Sequence, residues 1–197
     1  MILLAIPAAA LVAGVTIGVV SQGSAGSDNV RLRTPGVAAE PSGAIPTAPK
    51  LLGRRLPAGS FAILTGGSAA FASLAGRPAV INVWAESCVP CKTEMPAFER
   101  VHRAFGDQVS FVGLNDGSDA DETALTFAAK AGVTYPLWRD HDGLFTSTLS
   151  IAILPTTLIV DANGVIVQQH SGALSADQLT AMLHEALTTT STTTVGP

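Results

Sequence analysis

Only two cysteines occur among 197 residues. That scarcity excludes a multi-disulfide scaffold and a zinc site built from four thiolates. The four histidines, His102, His141, His170 and His184, show no paired spacing that would complete a mixed Cys and His metal site. Strong net charge is also lacking. Eleven Lys and Arg against fifteen Asp and Glu leave a net charge of −4, which excludes a general nucleic-acid footprint. No cysteine lies near the N-terminus, so a lipoprotein anchor is excluded. No internal repeat is present, which argues against a stacked-repeat architecture.

One further absence is positional. Residues 2–20 carry no charged side chain. As a helix they would span about 28 Å, enough to cross the hydrocarbon core. Residues 1–20 are therefore expected to be a transmembrane signal-anchor, or else a cleaved signal peptide. Arg31 and Arg33 follow the run and no Lys or Arg precedes it. The positive-inside rule alone would then turn the domain inward. The expectation adopted is the opposite one, a single-pass protein with its domain outside the cytoplasm. It supposes that a basic leader precedes this start. Residues 22–60 contain five Pro and six Gly and read, with residue 21, as a linker. This stretch is basic, with five Lys or Arg and two Asp or Glu; residues 61–187 are acidic, with six and thirteen. Residues 189–197 are Thr-rich and read as a disordered tail. The folded domain is expected over 61–188.

What the chain does have is the arrangement of its two cysteines. Cys88 and Cys91 are three apart, directly after the apolar run Ala79-Val80-Ile81-Asn82-Val83-Trp84 and directly before a helical pattern. A C-x-x-C where a strand feeds a helix reads as a redox site. Residues three apart on a helix share a face, so the two sulfurs can close a disulfide and reopen it. The helix N-terminus favours a thiolate over a thiol. Cys88, at the helix start, is expected to be the attacking thiol. Cys91, one turn in, is expected to resolve the mixed disulfide. Pro90 falls in the first turn, where it costs no hydrogen bond and stiffens the loop. A static disulfide or half of a zinc site are the competing readings of the same pair.

The coarse order of elements is β–α alternation followed by a hairpin and a helix. A strand is expected near 61–64, then a short helical segment after Gly66-Gly67. A central strand follows over 79–84, apolar on both faces. A helix over 89–105 is expected to kink at Pro96. A strand over 109–114 and a helix over 119–131 come next, then a short edge strand near 135–138 and a helical turn over 143–149. Strands at 156–160 and 165–170 flank the turn signal Asn163-Gly164. A last helix over 175–187 is capped by Ser175.

Four segments resemble the thioredoxin superfamily, and most closely its TlpA/ResA/DsbE-type thiol–disulfide oxidoreductases. They are Trp84-Ala85-Glu86-Ser87-Cys88-Val89-Pro90-Cys91-Lys92, Glu94-Met95-Pro96, Leu154-Pro155-Thr156-Thr157, and Gly172-Ala173-Leu174-Ser175. The resemblance implies an α/β thioredoxin-like fold, with a central mixed β-sheet flanked by helices. It also implies a TlpA-like helix–strand insertion between Asn115 and Pro155. It implies a cis Leu154–Pro155 bond facing the sulfurs, with the Leu154 backbone pairing a substrate strand. Trp84, Val89, Pro90, Leu154 and Pro155 are expected to form the substrate surface. No cofactor is implied beyond the Cys88–Cys91 couple. The implied partners are protein thiols and disulfides, with a membrane thiol transporter of the CcdA/DsbD kind as electron donor. A monomer is expected.

One departure from thioredoxin bears on mechanism. The strand before the site carries Asn82 where an Asp is usual. The nearest carboxylate able to serve Cys91 is then Glu94, one turn on. It reads either as a buried proton acceptor or as an exposed helix residue. Its replacement by Gln is expected to change stability by no more than about 1 kcal/mol.

The leading function is reduction of disulfides in exported proteins or apocytochrome c. An oxidant that introduces disulfides into secreted proteins is the alternative. A Sco-type metallochaperone would use Cys-x3-Cys, which this spacing does not match. A peroxiredoxin would need a Cys in a Pro-x3-Thr-x2-Cys context, which is absent.

Overall fold

A computed structural model describes residues 50–192. The segments read as anchor, most of the linker, and residues 193–197 of the tail lie outside these residues. Among the described residues no helix is long and apolar enough to cross a membrane.

The framework is a seven-stranded mixed sheet in the order β2-β1-β5-β4-β3-β6-β7. Its strands are β1 (Phe61–Ile63), β2 (Ser68–Ala69), β3 (Ala79–Trp84), β4 (Ser110–Asn115), β5 (Leu137–Arg139), β6 (Thr156–Val160) and β7 (Ile166–Ser171). The helices are α1 (Val89–Phe105), α2 (Asp121–Lys130), α3 (Leu144–Thr148) and α4 (Ala176–Thr192), with a 3-10 turn at Phe71–Leu74. β3 pairs parallel with β4 and antiparallel with β6. All six of its residues are buried, as a continuous apolar strand with layers on both sides must be. Alternation then sorts its side chains. Ala79, Ile81 and Val83 enter one core with Phe61, Phe71, Trp138 and Phe145. Val80 enters the other with Phe98 and Val101 of α1 and Leu179 and Leu183 of α4. Asn82 and Trp84 share the Val80 side, under α1.

The α2–β5 unit is the helix–strand insertion, placed between β4 and the α3–β6 half. β5 is not the edge strand expected. It lies between β4, with which it runs parallel, and β1, with which it runs antiparallel. Three residues gave no periodicity from which a position in the sheet could be read. The segment after Gly66-Gly67 likewise holds a two-residue strand, β2, before its helical turn.

The domain begins before residue 61. Leu51 is fully buried and Leu56 nearly so, both in the core that holds Phe61. Around them the chain is fastened to the β6–β7 hairpin: Gly53 N–H donates to Ile166 O, Ile166 N–H to Arg54 O, and Leu56 N–H to Gly164 O. The Pro and Gly content that marks a linker holds no information about two leucines that plug a core. At the other end α4 runs to Thr192, five residues past the predicted 187. The hydroxyl of Thr188 is shared between the carbonyls of His184 and Glu185, which satisfies it within the helix. The start of α4 is a reciprocal cap: Gln178 N–H donates to Ser175 Oγ, and Ser175 N–H to Gln178 Oε1.

Candidate active site

β3 delivers the chain to the site and α1 carries it away. Cys88 is the N-cap of α1, with φ −78° and ψ 100°. Cys91 lies one turn in and is fully buried, whereas Cys88 is half-buried. The two form a disulfide across a Cα–Cα distance of 5.3 Å. Cys91 N–H points at Cys88 Sγ over 3.2 Å. One of the orphan donors of the helix start is thereby aimed at the outer sulfur. Pro90 sits in the first turn, exposed, and α1 is continuous through Pro96.

The loop between β3 and α1 is held by a carboxylate that the sequence reading missed. Asp119 Oδ2 accepts from Glu86 N–H at 2.6 Å and from Asn115 Nδ2 at 2.6 Å. The end of β4 thus fixes the approach to Cys88. The helix expected over 119–131 would open at Asp119; α2 begins at Asp121, which leaves Asp119 in the loop to accept these bonds.

The predicted surface residues divide. Val89 is 70% exposed beside Cys88. Leu154 is half-buried and packs into the same cluster as Cys88, Cys91 and Trp84. Leu154–Pro155 is cis, and Pro155 is buried. Among the described residues neither the N–H nor the carbonyl of Leu154 has a partner. Thr156 Oγ1 donates to Ile153 O at 2.6 Å, and Gly172 N–H to Pro155 O at 2.8 Å, so the backbone is pinned on both sides of that open unit. Ile153, not singled out from the sequence, is 43% exposed there. Trp84 is a correction. It is fully buried and stacks on Phe127 with centroids 5.3 Å apart. It is the floor beneath the pair and presents no face to a substrate. Beside the loop a groove of about 560 Å³ runs between α1 and α2, lined by Glu86, Lys92, Pro96, Glu122, Phe127 and Lys130 among others.

Glu94 resolves toward the buried alternative. It is 1% exposed on the inner face of α1, one turn beyond Cys91. Its Oε1 accepts from Asn82 Nδ2 at 2.5 Å and its Oε2 from Leu174 N–H at 2.8 Å. Burial pushes its carboxyl up to about 7, against the opposing pull of the Leu174 N–H and then the Asn82 amide. Tyr135 is raised too, by its own burial and then by the Glu94 and Glu99 carboxylates, so its phenol stays neutral. Farther along α1, Glu99 is held below the ordinary range: its burial works the other way, but two bonds from Thr134 and one from Arg103 outweigh it.

This arrangement can carry dithiol–disulfide exchange: an accessible sulfur at a helix start, a sheltered partner sulfur, a buried acid one turn away, and an open backbone unit alongside. Comparison with known proteins agrees. A Redoxin family model matches residues 51–184. The chain is 28% identical over 129 residues to the thioredoxin-like protein YneN of Bacillus subtilis, covering 64% of this chain and 75% of that one. It is 31% identical over 133 residues to the thiol:disulfide interchange protein DsbE of Xylella fastidiosa, covering 66% of each. A secreted Mycobacterium tuberculosis disulfide oxidoreductase homologous to E. coli DsbE superposes with a TM-score of 0.59 at 25% identity, over 64% of this chain and 95% of that structure.

Proposed function

Because the chain belongs to the Redoxin family, as a thioredoxin-like thiol–disulfide oxidoreductase of the TlpA, ResA and DsbE type, we propose that it reduces disulfides in exported proteins or apocytochrome c from outside the cytoplasmic membrane. The observation that carries the chemistry is the pairing of Cys88 at the N-cap, with Cys91 N–H aimed at its sulfur, and the unpaired Leu154 backbone beside it.

In the reduced protein the helix N-terminus and the Cys91 N–H favour Cys88 as thiolate. A substrate segment pairs with the Leu154 backbone and presents its disulfide. Cys88 attacks one substrate sulfur. The Cys88–substrate bond forms, the substrate disulfide breaks, and the departing thiolate takes a proton from solvent. Cys91 then passes its proton to the Glu94 carboxylate and attacks Cys88 Sγ. The Cys88–Cys91 disulfide forms, the second substrate thiolate leaves and takes a proton from solvent, and Glu94 gives up its proton to solvent. The substrate gains two electrons and two protons, and the protein dithiol becomes a disulfide. No cofactor enters this cycle beyond the cysteine pair. A membrane thiol transporter of the CcdA/DsbD kind, acting on a monomer, would return the electrons.

Direction is tested by the potential of the Cys88–Cys91 couple, read by thiol trapping after equilibration with defined dithiothreitol or glutathione buffers. A reductant should equilibrate at or below about −200 mV; a value near about −120 mV would make it an oxidant and overturn the proposal. Placement rests on the uncharged run 2–20 and on the secreted relative. Alkaline phosphatase fused after residue 49 should be active in cells. An inactive fusion beside an active cytosolic reporter would place the domain inside.

A further inference from the structure

The carboxyl of Glu94 has two hydrogen-bond partners, and only one of them can change sense. Leu174 N–H is a backbone donor and can do nothing but donate to Oε2. A proton on Oε2 would weaken the bond that this oxygen accepts from Leu174 N–H, so Oε1 is the favoured site when Glu94 takes one up. There the proton meets Asn82 Nδ2, a second donor, at 2.5 Å. An O–H facing an N–H₂ inside a buried site is repulsive. The contact as it stands suits the ionised carboxylate best.

Asn82 can reverse the mismatch. Its amide carries donors on one side and an acceptor on the other. Half a turn about the last bond of its side chain replaces Nδ2 with Oδ1. The turn breaks nothing on the far side, because Asn82 Oδ1 is buried without a hydrogen-bond partner. The residue directly across β3 and β6 from Asn82 is Thr157, whose Oγ1 is also buried and unpartnered. Directly opposed side chains on one face of an antiparallel pair have Cβ atoms about 4.5–5.5 Å apart. A hydroxyl donates or accepts as required. It can therefore face either end of the amide. On the other flank Asn82 is opposed by Gly113, which adds no side chain.

We propose that Asn82 is a positioning residue whose amide follows the proton on Glu94, presenting Nδ2 to the carboxylate and Oδ1 to the acid. The inference rests on the reading of Glu94 as the proton acceptor for Cys91. The amide keeps the carboxyl hydrogen-bonded in both states and holds it in place one turn beyond Cys91. The other groups near Glu94 leave this role to Asn82. From α1 itself there is Cys91 one turn back, and Glu99 farther on, tied to Arg103 and Thr134. From the segment ahead of β5 there is the neutral phenol of Tyr135. From β6 there is the Thr157 hydroxyl, and from the segment before α4 the Leu174 N–H.

The test is an NMR titration of the labelled full-length protein in its disulfide form, following the Glu94 carboxyl carbon and the Asn82 side-chain amide together. Both should move with one midpoint, and the Asn82 amide protons should lose the shift of a strong hydrogen bond as the acid forms. In Asn82→Ala the carboxylate loses a donor and the acid loses an acceptor, so the two losses largely offset and the Glu94 midpoint should rise by less than about one unit. An Asn82 amide that stays flat while Glu94 titrates overturns the proposal. So does a rise of several units in Asn82→Ala, which would mean that the amide serves the carboxylate alone. The wild-type titration needs no variant to fold and no turnover to be seen. It is therefore decided separately from the kinetic role of Glu94, which pH-dependent exchange rates decide.

Discussion

Cys91→Ser should abolish turnover of disulfide substrates to background and leave them linked to Cys88. Cys91 is fully buried in the first turn of α1, so its replacement leaves the exposed face of the loop and the Leu154 backbone intact. The first exchange then proceeds and the second has no nucleophile. Non-reducing gels and mass spectrometry should find mixed disulfides through Cys88, released by added thiol. The same asymmetry predicts the order of alkylation in the reduced wild-type protein. At about pH 6 iodoacetamide should modify Cys88 well before Cys91, since only Cys88 combines access with the helix start and an N–H aimed at its sulfur. First labelling of Cys91, or absence of trapped species in Cys91→Ser, would exchange the two roles.

Much of this was legible in the chain because several local signals agreed. The run 79–84 is apolar throughout, so it could only be a strand covered on both sides. Cys88 and Pro90 mark a helix start, and α1 begins and ends where predicted, at Val89 and Phe105. Asn163-Gly164 placed the β6–β7 turn. What stayed hidden had no periodicity to carry it. Leu51 and Leu56 are two leucines among Arg, Gly and Pro, and only the third dimension shows the core they fill. The Thr-rich composition pointed to a tail from residue 189, yet propensity is a small term and α4 runs on to Thr192. Glu94 was recognised by spacing, but spacing cannot say which side of α1 faces the sheet. Its burial depends on Asn82 and on the Leu174 N–H, eighty residues away in sequence. Trp84 sits in the motif, among the residues expected to form the substrate surface. It turned inward because β3 alternates and its sixth residue falls on the side covered by α1 and α2.

Glu94→Gln should change both the stability and the pH response of the protein, in opposite senses. The carboxyl titrates near 4.5 when unfolded and at about 7 when folded, the rise being due first to burial. Between those values the folded protein holds a proton that the unfolded chain has lost. Unfolding free energy therefore falls as pH rises through this window and is level above it. A rise of that size corresponds to about 3 kcal/mol. Gln cannot ionise and keeps an oxygen for the Leu174 N–H. Denaturant titrations should show the variant close to wild type at about pH 5 and more stable by roughly 2–3 kcal/mol at about pH 8. The bound of about 1 kcal/mol expected from an average substitution then holds only on the acid side. The gain has a kinetic counterpart. Without the carboxylate, Cys91 has no acceptor one turn away, so release of substrate from the Cys88 mixed disulfide should slow, and the rate profile should lose its inflection near 7. An equal stability difference at both pH values would mean that folding leaves the carboxyl's pKa unshifted, its hydrogen bonds offsetting its burial. An unchanged rate profile would mean that the Cys91 proton leaves through water and that Glu94 serves the fold alone.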